Sequence, residues 1–216
     1  MIIGIAGKAA SGKTTTAQHL ASLSNQPTII LSLAKVLRQE VEGFLKTIGA
    51  EQFVPLLYGS QQDKVTVFLV NEARALASCP RWQEFIDANS DIQEHVGVTA
   101  VTPRLLLQWW GTDYRRSQNP DYWVNAWLDQ IKPIDLSQTL ILVDDIRFDD
   151  ERQMIANQNG LLIKITRPGC NGANSHLSET ALDHIQNWDT IINNDADLDK
   201  LHAKTQHFWN AVQGLD

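Results

Sequence analysis

The chain has 216 residues, 43% hydrophobic and 20% charged, with a formal net charge of −7. That length suits one α/β domain with room for an insertion, and the composition carries neither a disordered nor a fibrous signature. The acidic balance argues against a nucleic-acid-polymer partner, which calls for a basic stripe, but permits a nucleotide held by a few local cations. Cys79 and Cys170 show no metal or redox spacing, which reads as two reduced thiols in a cytosol-like compartment. No apolar run approaches a membrane span, and MIIGIAG is broken too soon by glycine for a secretion signal. The expected location is the cytoplasm (the host's, for a viral chain), with no membrane partner.

Residues 2–6 are an apolar run closing on glycine, the pattern of a buried parallel strand. Directly after it, GKAASGKT places Gly7, Gly12, Lys13 and Thr14 in the spacing G-x-x-x-x-G-K-[ST], the phosphate-cradling P-loop. A polyphosphate needs many donors close together, and glycines let backbone amides approach without Cβ interference. Gly7, Ala10, Ser11, Gly12 and Thr15 are the candidate cradle. Lys13 supplies a mobile charge for the β and γ phosphates, and the Thr14 hydroxyl is placed for Mg²⁺. The helix at 14–23 adds its free N–H groups and positive dipole end, with Ala17, Leu20, Ala21 and Leu23 available for the sheet.

A second strand is expected at 27–33, followed by Arg38. From about 36 to 132 the pattern is mostly helical, punctuated by Gly59, Pro80, Pro103 and Pro120 and rich in tryptophan (Trp82, Trp109, Trp110, Trp123 and Trp127). That is too long for one crossover and reads as a helical substrate-binding insertion. Residues 101–123 gather Arg104, Gln108, Asp113, Arg115, Arg116 and Trp123 in one stretch. Arginine forks bind phosphate oxygens bidentately, a tryptophan stacks on a planar base, and Gln or Asp reads base or sugar donors. Taken singly these residues have plainer roles: Arg104 as a surface residue at a helix start, Trp109 and Trp110 as core filling.

A third strand, 137–145, ends in Asp144 and Asp145, the position where an acidic residue orients a magnesium water shell opposite a P-loop. Neighbouring side chains on an extended chain point opposite ways, so one of the two faces the phosphate. The plainer alternative is helix capping, since Asp149 and Asp150 also precede a helical pattern. Strands at 160–167 and 188–194 follow, then an amphipathic helix carrying His202 and His207 toward solvent. His176, Ser178 and Glu179 lie together, but without a nucleophile elbow or metal-ligand spacing. The fold expected is α/β: a three-layer P-loop NTPase sandwich with a parallel five-stranded sheet, one domain over 1–216 interrupted by the helical insertion.

A GTPase would need a guanine-selecting Asn-Lys-x-Asp, which the chain lacks, and a motor ATPase would need further motifs. A small-molecule kinase needs an arginine-lined acceptor pocket. Here TPRLLLQWWGTDYRR with DYW, then DDIRFDDE, RPG with HLSE, and INND occur in the order found in bacteriophage-type deoxynucleoside monophosphate kinases, and the chain resembles that family from Gly7 to about Leu201. In SLAKVLR, residues Leu33, Val36 and Arg38 stand where the family has Phe, Pro and Lys. The resemblance implies transfer of the ATP γ-phosphoryl group to a deoxynucleoside monophosphate, with ATP and Mg²⁺ bound. By motif position it implies Asp145 rather than Asp144 as the magnesium acid beside Thr14. It also implies Arg147 on phosphate with Lys13, Glu151 supporting the site, and Arg167 with 171–179 in a lid spanning about 167–180. Arg38, Arg104, Gln108, Asp113, Arg115, Arg116 and Trp123 would contact the acceptor, and a homodimer is compatible. The rival readings are a phosphomevalonate-kinase-like enzyme and a non-catalytic nucleotide-binding protein.

Overall fold

A computed structural model describes residues 1–89, 97–172 and 176–214. In chain order, β1 (Ile2–Gly7) leads through the P-loop into α1 (Lys13–Leu23), and β2 (Thr28–Ile30) follows. Next come α2 (Ala34–Thr47), α3 (Val54–Tyr58), β3 (Phe68–Asn71), α4 (Glu72–Ser78), α5 (Trp82–Ala88), β4 (Val98–Val101) and α6 (Pro103–Gln108). α6 runs without a break into a π-helix, Trp109–Arg116. The remaining elements are α7 (Tyr122–Ile131), β5 (Leu140–Ile146), α8 (Asp149–Asn157), β6 (Leu161–Thr166), α9 (Leu177–Thr180), β7 (Thr190–Asn193) and α10 (Leu198–Gln213). The chain divides into two compact units, Met1–Leu33 with Val124–Asp216, and Ala34–Trp123.

The first unit holds a five-stranded sheet in the order β2-β5-β1-β6-β7, every neighbouring pair parallel. This is the α/β architecture that the alternation of apolar runs and helical patterns implies. β1 lies in the middle because both of its faces are apolar. Ile3 and Ile5 join Ala17 and Leu20 of α1 and Leu201, Phe208 and Trp209 of α10 on one face. Ile2 and Ala6 join Trp127, Ile131, Met154 and Ile155 on the other. Helices thus cover both sides, which lets a parallel sheet bury its strands completely. At Gly4 a Cβ would sit 2.3 Å from the end of the Ile146 side chain, which would have to shift to make room. β2 is not the buried strand expected at 27–33. It is a three-residue edge strand pairing only with β5, so Ile29 and Ile30 are left partly open to solvent. His202, expected toward solvent, stacks its ring on His19 of α1 at 4.0 Å between centroids.

The second unit is built around a tryptophan core. Trp82 and Phe85 are fully buried and stack at 4.5 Å, and Phe44 meets Trp110 at 5.0 Å. Unlike the helical pattern expected, the unit contains an antiparallel pair, β3 with β4, in register Phe68↔Val101 and Val70↔Thr99. Phe68 and Val70 turn inward while Leu69 and Asn71 face out, a period-two alternation only four residues long. This unit ends at Trp123, short of the expected limit near 132. From Val124 onward the chain joins the first unit, where the Trp127 indole donates to the Leu31 carbonyl at 2.9 Å. Residues 173–175, which fall within the lid expected at 167–180, lie outside the described residues.

Candidate active site

The P-loop closes the carboxyl end of β1 around a run of unusual backbone angles. Gly7 and Gly12 have φ of 149° and 109°, and Ala10 adopts φ 61°, left-handed backbone that a side chain enters only at a cost. A Cβ on Gly7 would lie 2.5 Å from the Ile165 carbonyl oxygen, so only glycine fits beside β6. Ser11 N–H donates to the Lys8 carbonyl at 3.2 Å, and Thr16 N–H to the Gly12 carbonyl at 2.9 Å, joining the loop to α1. Alternating conformations of this kind turn successive N–H groups inward, the geometry of an anion nest. Asn194, just past β7, braces the loop from outside: its amide donates to the Ser11 carbonyl at 2.8 Å. The Ser11 hydroxyl is buried and makes no hydrogen bond among the described residues. An unpaired buried hydroxyl costs free energy until a partner arrives, and here it stands in the cradle itself.

Lys13 is nearly buried, and its ammonium donates to the carbonyls of Gly7 at 2.9 Å and Lys8 at 2.8 Å. Burial pushes its pKa from 10.5 down to about 8. The positive charge of Arg147 adds to the shift, while Glu179, Asp145 and Asp144 oppose it. A cation held this way gains from any anion entering the cradle.

The two aspartates of β5 separate as strand alternation requires. Asp144 is buried, and it accepts from the Thr14 hydroxyl at 2.8 Å through one oxygen and from Ser32 at 2.7 Å through the other. Asp145 turns the other way and accepts the Leu33 N–H at 2.8 Å. This corrects the motif-based expectation: the carboxylate beside Thr14 is Asp144, because only its face of β5 looks toward α1. Asp145 still acts electrostatically on Lys13.

Arg147, at the end of β5, donates to the Ser178 carbonyl at 3.1 Å and pairs with Glu179. Glu151, at the start of α8, is buried and accepts the N–H groups of Arg147 at 2.8 Å and Phe148 at 3.1 Å. That is helix capping, and it fixes the turn that carries Arg147. Arg167 donates to the Ala10 carbonyl at 3.3 Å, so it sits on the rim of the P-loop. His176 caps α9 with its ring nitrogen. Thr15 lies in the first turn of α1. Sequence reasoning gave no individual role to Ser32 or Asn194, and placed Glu179 only within the lid segment 171–179. Only Lys8, adjacent to Gly7, carried a readable signal, and its ammonium reaches the Glu179 carbonyl and the Asp183 carboxylate, each at 2.5 Å.

In the second unit, Arg104 and Gln108 lie on α6, Asp113, Arg115 and Arg116 on the π-helix, and Arg38 on α2. A π-helix is rare, and where it occurs it often marks a functional site. Arg104 reaches Gln61 at 2.9 Å, and Arg116 reaches the Pro120 carbonyl at 3.3 Å. The Asp113 carbonyl, not its carboxylate, accepts from Arg81 and Ser117.

Two expected acceptor residues have structural roles instead. Arg115 bonds Glu40 at 2.7 Å and lies over the rings of Trp110, Tyr114 and Tyr122, while Trp110 and Tyr122 also donate to Glu40. This guanidinium holds the π-helix to α2. Trp123 is buried in the aromatic core and donates to the Gly111 carbonyl at 2.8 Å, so it has no open face for a base.

The family model described as deoxynucleotide monophosphate kinase matches residues 56–205. A protein of Acanthamoeba polyphaga mimivirus, provisionally named a deoxynucleotide monophosphate kinase, is 28% identical over 94% of this chain and 93% of its own length. The deoxynucleotide monophosphate kinase of Enterobacteria phage T4 is 25% identical over 73% of this chain and 64% of its own. With a P-loop at the end of the central strand and a match across most of its length, the chain belongs to the deoxynucleotide monophosphate kinase family and is a phosphotransferase enzyme.

Proposed function

We propose that the protein transfers the γ-phosphoryl group of ATP to a deoxynucleoside monophosphate, giving ADP and the diphosphate. One observation carries this reading: a P-loop nest with Lys13 buried in it and the Thr14 hydroxyl bonded to the strand-end carboxylate of Asp144, in a chain of this family. The nest amides, the Ser11 hydroxyl and Lys13 take the triphosphate, and Arg167 lies on the rim over it. The hydroxyl of Thr14 and the carboxylate of Asp144 are hard oxygen donors 2.8 Å apart, a set that suits Mg²⁺. The metal, when bound, supplies positive charge to the β and γ phosphate oxygens. Asp145 holds the chain at Leu33 in support.

The acceptor's phosphate is a dianion near neutral pH and needs no general base, so the protein's task is alignment and neutralisation of charge moving between two anions. Lys13 and Arg147 perform the neutralisation. Arg38, Arg104, Gln108, Asp113 and Arg116 are the residues assigned to the acceptor, with Arg115 and Trp123 removed from that set.

The test is a coupled ADP-release assay over the common nucleoside and deoxynucleoside monophosphates at saturating ATP and Mg²⁺. ADP release stimulated by at least one deoxynucleoside monophosphate is expected. ATP binding with no stimulation by any of them would overturn the assignment in favour of a non-catalytic nucleotide binder.

A further inference from the structure

Glu179 is one of the few buried carboxylates in the first unit, yet it lies on a helix of four residues and belongs to no core cluster. One of its oxygens pairs with Arg147, and the other accepts the Ala9 N–H at 3.3 Å. Its own carbonyl accepts the Lys8 ammonium at 2.5 Å, and the neighbouring Ser178 carbonyl accepts Arg147 at 3.1 Å. A single residue therefore ties the first turn of the P-loop to the arginine that ends β5. The Arg147 side chain is long and one third exposed, so without a partner it would lose much of its order to rotamer freedom.

We propose that Glu179 is the positioning residue of this site: its buried carboxylate holds the Arg147 guanidinium against the Lys8–Ala9 turn, aimed at the transferring phosphoryl group. This rests on the kinase reading above and on the role of Arg147 within it. Charge is essential to the device. Both carboxylate oxygens face donors, Ala9 N–H and Arg147 N–H, and a carboxylate satisfies both. An amide of the same shape offers one acceptor and must turn its NH₂ toward the other donor. Glu179 also offsets part of the repulsion between Arg147 and Lys13, which lets two cations share one nest before nucleotide arrives.

The experiment is a double-mutant cycle on the full chain. Glu179→Ala, Arg147→Ala and the double variant are assayed with ATP, Mg²⁺ and the deoxynucleoside monophosphate that the wild type turns over fastest. Glu179→Asp and Glu179→Gln are assayed alongside. Glu179→Ala and Arg147→Ala are each expected to lower kcat about 100-fold, with the KM for ATP changed less than about threefold. The double variant should be no slower than Arg147→Ala, because the glutamate acts through the arginine. Glu179→Asp, shorter but charged, should recover more activity than isosteric Glu179→Gln; a purely packing role predicts the reverse order. Glu179→Gln replaces the alanine variant in the cycle if that variant does not fold.

Losses that multiply in the double variant, full activity of Glu179→Gln, or unchanged kcat with tighter ATP binding would each overturn the proposal, the last by making Glu179 a plug in the empty nest. Full activity of Arg147→Ala would sink the proposal together with the reading of Arg147. Full activity of Glu179→Ala beside a crippled Arg147→Ala would remove Glu179 alone.

Discussion

Replacing Lys13 by methionine, which keeps the unbranched stem and removes the ammonium, separates the stability role of this residue from its chemical one. The folded chain holds the lysine at about 8, against an ordinary 10.5, with burial the largest cause. The difference, 10.5 minus 8, corresponds to about 3 kcal/mol spent on keeping the charge in the fold at neutral pH. Because the folded value lies below the unfolded one, that cost is complete below pH 8 and fades as the pH rises from 8 toward 10.5. Methionine removes it, but leaves the Gly7 and Lys8 carbonyls without the ammonium, at a loss of about 1–3 kcal/mol.

The nucleotide-free Lys13→Met protein should therefore be as stable as wild type at pH 7, or up to about 2 kcal/mol more stable. At pH 10 the wild type should gain on it, because its own lysine is then neutral. Phosphoryl transfer should fall by about a thousandfold or more at pH 7, where the wild-type lysine carries its charge. Denaturant melts at pH 7 and 10 with the ADP-release assay give all three numbers. A variant less stable than wild type by more than about 2 kcal/mol at pH 7 would refute the desolvation argument, and near-normal turnover would refute the assignment of Lys13.

Asp144→Asn should lower kcat about 100-fold and raise the Mg²⁺ concentration needed for half-activity, while Asp145→Asn should act mainly on stability. A Mg²⁺ titration giving the opposite order would return the metal role to Asp145. Arg115→Met should cost about 1–2 kcal/mol of stability, discounted for the partial exposure of the ion pair, with the acceptor KM within about threefold of wild type; a large, isolated rise in acceptor KM would make Arg115 a ligand after all. Ala10→Gly should leave activity intact and raise stability by about 0.5 kcal/mol, because relief at φ 61° outweighs the added unfolded-state entropy. A lower denaturant midpoint for that variant would show that the alanine there is not strained.

Much of the first unit was readable from local pattern. Apolar runs at 2–6, 137–145 and 160–167, separated by helical periodicity, are enough to imply parallel strands buried on both faces, since strand burial is a property of consecutive residues. The P-loop was equally plain, because Gly7, Gly12, Lys13 and Thr14 perform their task within eight positions of one another. Short-range alternation also announced that Asp144 and Asp145 diverge, but not which of them meets Thr14. That depended on which face of β5 packs toward α1, a fact of sheet order.

Local pattern fell short wherever a partner lies far along the chain. The ring stack of His202 on His19, the cage of Arg115 by Glu40 and three aromatic rings, and the burial of Trp123 all join distant segments, and nothing in the immediate neighbourhood of each residue signals them. The β3–β4 pair escaped notice because four alternating residues are too few to stand out from a helical surrounding. By itself, then, the sequence determined the parallel sheet, the phosphate nest and the membership of the kinase family, all carried by contiguous residues. Tertiary structure alone decided which aspartate accompanies Thr14, which arginine and tryptophan are structural, and that Glu179 reaches the nest, because those choices depend on long-range packing and burial.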